Sequence, residues 1–143
     1  MGTAQARQNY TPDIASEEER VGQAKLMMRL FELWDLDTST QLQLLGLSST
    51  SRALLSRYRK DTALPATRDV QDRVGWLLAI HKALGLLYPL NDSLRYGWVK
   101  QRNQAFTSHT TPAETLTPLE YMIRDGLIGL AKVARYLDWQ RGR

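Results

Sequence analysis

The chain has 143 residues, no cysteine, and 19 basic against 15 acidic residues, for a net charge of +4. That length suits one domain, or two small helical subdomains sharing a core. The missing cysteines exclude a disulfide framework, thiolate chemistry and a cysteine-bound metal, and the mild positive balance permits a nucleic-acid partner without demanding one. No run of about 18 apolar residues occurs, so no membrane span is expected. The opening MGTAQARQNY lacks the apolar centre of a signal peptide, and Ala6 stands where a myristoylation pattern wants Ser or Thr. A cytoplasmic protein is expected.

Residues 1–15 are polar, include Pro12, and read as a flexible arm. Ser16 opens S-E-E-E, with Glu19 three residues on, which is a capping box. Glu17, Glu18 and Glu19 also suit the positive end of a helix dipole, so the acidic run needs no further role. The helix it starts reaches about Trp34. Val21, Ala24, Met28 and Phe31, with Met27, Leu30 and Trp34 beside them, form a wide stripe at helical spacing. Asp35, Asp37 and Thr38 break it.

The stretch from Thr38 to Asp61 reads as two short helices around a tight bend. Ser39 is a cap for a first helix, Thr40 to Leu45, with Leu42, Leu44 and Leu45 apolar. Gly46 stops that helix, because glycine alone takes a left-handed conformation without steric cost. Leu47 docks the bend, and Ser48 or Ser49 caps a second helix that buries Leu54, Leu55 and Tyr58. This is the pattern of a helix-turn-helix, whose second helix can lie in a DNA major groove. Ser51, Arg52 and Ser56 are the candidates for base edges, Arg57, Arg59 and Lys60 for phosphates, and Ser49 completes the candidate DNA-binding set. From Gly46 to Leu55 is nine residues, where the compact motif has about six. The extra residues either lengthen the second helix at its start or spoil its fit to a groove.

Leu64-Pro65 ends the motif, and residues 16–66 form the helix-turn-helix region. Residues 67–143 then hold a long central helix and a helical C-terminal domain. The long helix runs from Arg68 to Tyr88. Val70, Val74, Leu77, His81 and Leu84 form one stripe, with Trp76, Ile80, Ala83 and Leu87 beside it. So much apolar girth predicts a central position and a homodimer using this helix or its neighbours Trp34 and Trp98. His81 has no second histidine or acid spaced to assist it and reads as a core or interface histidine. Pro89 closes the helix. Asn91 or Asp92 caps the next, which carries Leu94, Trp98 and Val99. A polar loop around His109 follows, and His109 is assigned no role. Thr111-Pro-Ala-Glu114 and Thr117-Pro-Leu-Glu120 are successive cap sequences. The second starts a short helix stopped at Asp125-Gly126. A final helix, Leu127 to about Gln140, turns Leu130, Val133, Ala134 and Leu137 inward, with Tyr136, Trp139 and Arg141 pointing elsewhere. No strand pattern occurs; the fold is all-α, with about seven helices.

The run Trp98-Val99, Asn103, Phe106, Thr117-Pro118-Leu119, Gly126, Leu130, Val133 and Tyr136-Leu137 resembles the toxin-binding domain of the Xre/MbcA/ParS antitoxin family. In that family an Xre-like helix-turn-helix and a long middle helix precede it, as here, so the resemblance covers about residues 17 to 143. It implies an antitoxin of a bacterial type II toxin–antitoxin pair. Such a protein dimerises, binds and silences a RES-domain toxin that consumes NAD, and with it represses its own operon by binding operator DNA. Tyr136, Trp139, Gln140, Arg141 and Arg143, near the chain end with little core to fill, are the candidates for contact with the toxin.

Two other function classes compete. A stand-alone helix-turn-helix regulator would use the C-terminal segment only as dimer core. An enzyme would need chemistry this chain does not spell out: it has two unrelated histidines, no phosphate loop of the GxxxxGK kind, and no paired carboxylates backed by a third group. No catalytic, cofactor or metal residue is assigned.

Overall fold

Serine, threonine, aspartate and asparagine caps set where most of the helices begin, and glycines of positive φ mark the end of one helix and the break in another. The structure, a computed structural model, describes residues 14–108 and 113–142. Among these there are six α-helices and no strand; one isolated antiparallel bridge joins Thr107 to Thr115. The flexible arm expected for residues 1–15 falls almost wholly outside the described residues, as do His109, the Thr111 cap and Arg143. Residues 113–117 are not helical.

The first helix, α1 (Glu17–Leu33), has the expected capping box: the Ser16 side chain accepts from the Glu19 amide, and the Glu19 carboxylate accepts from the Ser16 amide. Ala24, Met27, Met28, Leu30 and Phe31 are buried along it, and Trp34, at its C-cap, is 1% exposed. Helix α2 (Thr38–Leu45) begins two residues before the sequence reading, because Asp37 rather than Ser39 caps it, accepting from Thr40 N at 2.8 Å. Gly46 ends α2 in the left-handed conformation at φ 71. The three residues Ser49–Ser51 then form a 3-10 turn capped by Ser48, ahead of α3 (Arg52–Tyr58). The extra residues after Gly46 are therefore used to extend the second helix at its start.

Helix α4 (Arg68–Leu87) is capped by Thr67 and buries Val70, Val74, Leu77, Ile80, Ala83 and Leu84. Asn91, not Asp92, caps α5 (Asp92–Gly97), which tightens into a 3-10 turn at Trp98–Lys100. Helix α6 (Pro118–Arg141) starts with a capping box between Thr117 and Glu120 and breaks at Gly126, with φ 61 and ψ −134. Its two limbs are the short and final helices expected from Asp125-Gly126. Leu130, Val133, Ala134 and Leu137 all face inward.

One apolar core runs from α1 to α6, with α4 at its centre and packed most extensively on α6. Helix α2 also touches α6, so the helix-turn-helix and the C-terminal half are not independently cored. Three cations from the second half of the chain, or from α1, fix the helix-turn-helix in place. Arg73 of α4 donates to Gln43 O and Leu44 O at the end of α2, at 3.3 and 3.4 Å. Lys100 donates to Asp35 O in the turn before α2, where Asp35 has a positive φ of 53. Arg20 of α1 donates to Leu64 O at 2.7 Å, tying down the exit from the motif.

Trp34 and Trp98 are buried in this single chain, at 1% and 7% exposure, so they do not serve as a dimer surface. The outward edge of α4 instead carries Gly75, Ala79 and Leu86, the last 56% exposed.

A β-carbon added at Gly46 would lie 2.7 Å from Arg73 Nε and 2.8 Å from Asp69 Oδ2. Gly46→Ala is therefore expected to cost about 1–2 kcal/mol from backbone conformation alone, and more from this contact. In an Arg73→Ala background the Arg73 contact is removed and Asp69 loses the partner that holds its carboxylate there, so the same glycine substitution should cost less. Urea denaturation of the two single variants and the double variant checks this non-additivity.

Candidate nucleic-acid interface

Helix α3 buries Leu55 and Tyr58 against α1 and α2 and half-buries Leu54. By helical spacing, the opposite face centres on Ala53 and Ser56, both exposed, with Arg52 and Arg57 on its flanks. Ser49, Arg59 and Lys60 are also exposed, whereas Ser51 is half-buried in the 3-10 turn. The exposed Ser56 hydroxyl donates to Ala53 O at 3.1 Å, which leaves its oxygen able to accept a hydrogen bond. Among the described residues, none of Arg52, Arg57, Arg59 and Lys60 makes an ion pair.

The structure divides these cations between two neighbourhoods. Arg52 and Ser49 line a groove with Asp37, Thr38, Ser39 and Leu42 at the start of α2. Arg59, one residue past α3, lies on the side of α1, in a depression with Met28 and Glu32. A helix N-terminus is a natural anion site, but the start of α2 already holds the Asp37 carboxylate. Bonding to Thr40 keeps that carboxyl below its ordinary pKa. A phosphate entering the groove would therefore meet the Thr38 and Ser39 hydroxyls and Arg52 rather than free α2 amides.

Ala53 was missed by sequence reasoning, which sought polar and basic side chains. Its position one turn before Arg57, between Arg52 and the half-buried Leu54, was the available signal. A small methyl at the centre of an exposed helix lets a base edge or a thymine methyl approach closely.

At the C-terminal end the sequence candidates separate. Tyr136, expected to point away from the core, is half-buried. Its ring stacks on Trp98 with centroids 6.2 Å apart and meets Phe106 edge-on at 5.3 Å. Phe106 in turn packs on Tyr121 at 5.2 Å. Trp139 is 58% exposed and leans on Tyr136. Gln140 donates to the Tyr136 hydroxyl at 2.9 Å, and Arg141 is exposed beside Asp138 at 3.6 Å. Tyr136 thus supports the surface that Trp139, Gln140 and Arg141 present.

No cluster of three or more metal-ligating side chains occurs among the described residues, and none of their helices is long and apolar enough to cross a membrane. His81 is half-buried on α4, with Arg95 close enough to act on it.

Comparison with known proteins bears on the helix-turn-helix region. Residues 14–79 match the family model of the antitoxin Xre-like helix-turn-helix domain, which spans α1 to the middle of α4. This supports a DNA-binding antitoxin or regulator. Along most of its length the chain is also similar to the uncharacterized protein y4oB of Sinorhizobium fredii (strain NBRC 101917 / NGR234). The two are 28% identical over 130 residues, which cover 90% of this chain and 92% of that protein.

Burial, and secondarily the charge of Arg95, lowers the His81 pKa below its ordinary value of 6.5. The folded state therefore binds this proton less readily than the unfolded chain, so stability rises with pH. The His81 contribution should be complete above the ordinary histidine pKa, fall as pH drops below it, and level off under the folded value. Denaturation midpoints measured between pH 7.5 and 5 should show this loss, and His81→Gln should flatten it.

Proposed function

We propose that this protein is the antitoxin of a type II toxin–antitoxin pair. In this reading it binds and neutralises an NAD-consuming RES-domain toxin in the cytoplasm and represses its own operon by binding operator DNA. The observation that supports it is the presence of two separate exposed faces on one core: a recognition helix with unpaired cations, and a C-terminal helix ending in an exposed tryptophan and arginine. Residues 16–66 would serve the DNA and residues 67–143 the toxin.

On the DNA side, Ser49, Ser51, Arg52 and Ser56, with Ala53, approach base edges, while Arg57, Arg59 and Lys60 sit on phosphates. A homodimer formed along the outward edge of α4 would read an inverted repeat with half-sites about one helical turn apart, or a multiple. Arg57→Gln should weaken binding to all sequences alike and reduce the salt slope by about one unit. Arg52→Gln should instead reduce the preference for the protein's own promoter. Fluorescence anisotropy on promoter and scrambled duplexes separates the two. A stable monomer at micromolar concentration in sedimentation would remove the dimer.

On the toxin side, Trp139 and Gln140, braced by Tyr136, dock against the toxin together with Arg141 and Arg143 and close its NAD pocket. Thr117–Asp125 adds contact from the body. Trp and Arg are the residues most enriched in interface hot spots, and arginine suits groups that otherwise recognise an anionic pyrophosphate. Deleting Asp138–Arg143 removes the end of α6 beyond Leu137. With the fold verified by circular dichroism, the truncated protein should fail to prevent NAD loss by the toxin encoded beside it. Full silencing at equal concentration would sink the tail as the plug. Failure of the intact protein to associate with that toxin would leave a stand-alone helix-turn-helix regulator.

A further inference from the structure

We infer that α1 carries a second phosphate-binding patch, formed by Lys25 and Arg29 together with Arg59, which holds the DNA backbone beside the recognition helix. The inference rests on the DNA-binding reading above and extends it to a helix outside the bend and its recognition helix.

Lys25 and Arg29 are one helical turn apart on α1 and both are exposed. Like charges at this spacing repel, and no acidic residue offsets Lys25: among the described residues it makes no ion pair. Arg29 is only loosely engaged, 3.6 Å from Glu32, with both side chains more than half exposed. Arg59 reaches the same depression from the end of α3, so three cations line it against the single carboxylate of Glu32, with Met28 beneath. The other structural cations are used differently. Arg20, Arg73 and Lys100 donate to main-chain carbonyls and fix helices in place.

The position suits DNA. Helix α3 packs directly on α1, and Arg59 at its end shares a depression with Lys25 and Arg29, so a backbone passing Arg59 next meets the exposed turn of α1. Arg52, at the other end of α3, stands by the start of α2. Cations thus flank the outward face of Ala53 and Ser56 at both ends. A recognition helix of seven residues is about 10 Å long, close to the roughly 12 Å width of a major groove. Phosphates on either side of that groove are the anions such flanking cations would meet. Lys25 and Arg29 stand on α1, outside the recognition helix, so contacts from them to phosphate would add affinity and leave sequence preference unchanged.

The test uses the full-length protein, a duplex bearing the sequence upstream of its own gene, and a scrambled duplex, with affinity measured from low to moderate salt. Lys25→Gln and Arg29→Gln, at exposed positions, are checked for folding by circular dichroism. Each should reduce the slope of log affinity against log salt by about one unit, equally on both duplexes, with the promoter-to-scrambled ratio unchanged. If the wild-type protein prefers its promoter and both variants keep the wild-type slope, the α1 patch is overturned while the DNA reading stands. If the ratio changes while the slope does not, α1 acts by positioning α3 and the patch is likewise overturned. If the wild-type protein binds neither duplex, the DNA reading and this inference fall together.

Discussion

Arg73 lies between the two glycines of positive φ, Gly46 at the bend of the helix-turn-helix and Gly126 at the break in α6. Its Nε bonds the Asp69 carboxylate at 3.0 Å, its Nη1 caps the carbonyls at the end of α2, and its Nη2 would lie 3.5 Å from a β-carbon on Gly126. The Arg73 side chain is 15% exposed while Asp69 is 52% exposed, so its bonds lie at the edge of the core, and bonds to a charged group each contribute more than neutral ones. The position of the guanidinium also follows from the helix dipole, since cations are favoured at the C-terminal end of α2. Arg73 thus ties the end of α2 in the helix-turn-helix to α4, the centre of the core.

The distribution of cations follows a simple rule. Those that bond main-chain carbonyls or lie over aromatic rings are structural; among the exposed cations that do neither, Arg52, Arg57, Arg59 and Lys60 cluster on and just past α3, near Lys25 and Arg29 of α1, while Arg68, Lys82 and Arg124 stand apart. Arg135 lies over Trp76 and Lys132 over Tyr121, each at about the limiting distance for a cation–π contact, 5.8 and 6.0 Å. The modest net charge therefore understates the local positive field around the recognition helix, because many basic residues elsewhere are balanced or engaged.

The C-terminal motif has a physical meaning in this fold. Trp98, Phe106, Tyr121 and Tyr136 come from α5's extension, the following loop and both limbs of α6, and meet in one aromatic cluster. Asn103 fixes the loop, accepting from the Ala105 amide, while its own amide bonds Leu116 O. Several residues that mark the resemblance are thus the frame that holds the two limbs of α6 in their kinked arrangement. The surface that could differ between partners is what this frame exposes at Trp139, Gln140 and Arg141.

The helix starts at Ser16 and Thr117 and the stops at Gly46 and Gly126 were legible because each depends on residues within one or two turns of chain. The inward stripes of α1, α4 and the end of α6 were legible for the same reason: periodicity is a local property. The start of α2 was misplaced because Asp37 and Ser39 both suit a cap, and only the path of the chain past Asp35, held by Lys100 from far along the sequence, selects Asp37. Burial of Trp34, Trp98 and Tyr136 depends on elements that are remote in sequence, so a sequence pattern could not distinguish core from interface there. The same holds for the candidate site. Local sequence identified the basic recognition helix, but the separation of Arg52 from Arg59, and the meeting of Arg59 with Lys25 and Arg29, arise only when α3 docks on α1.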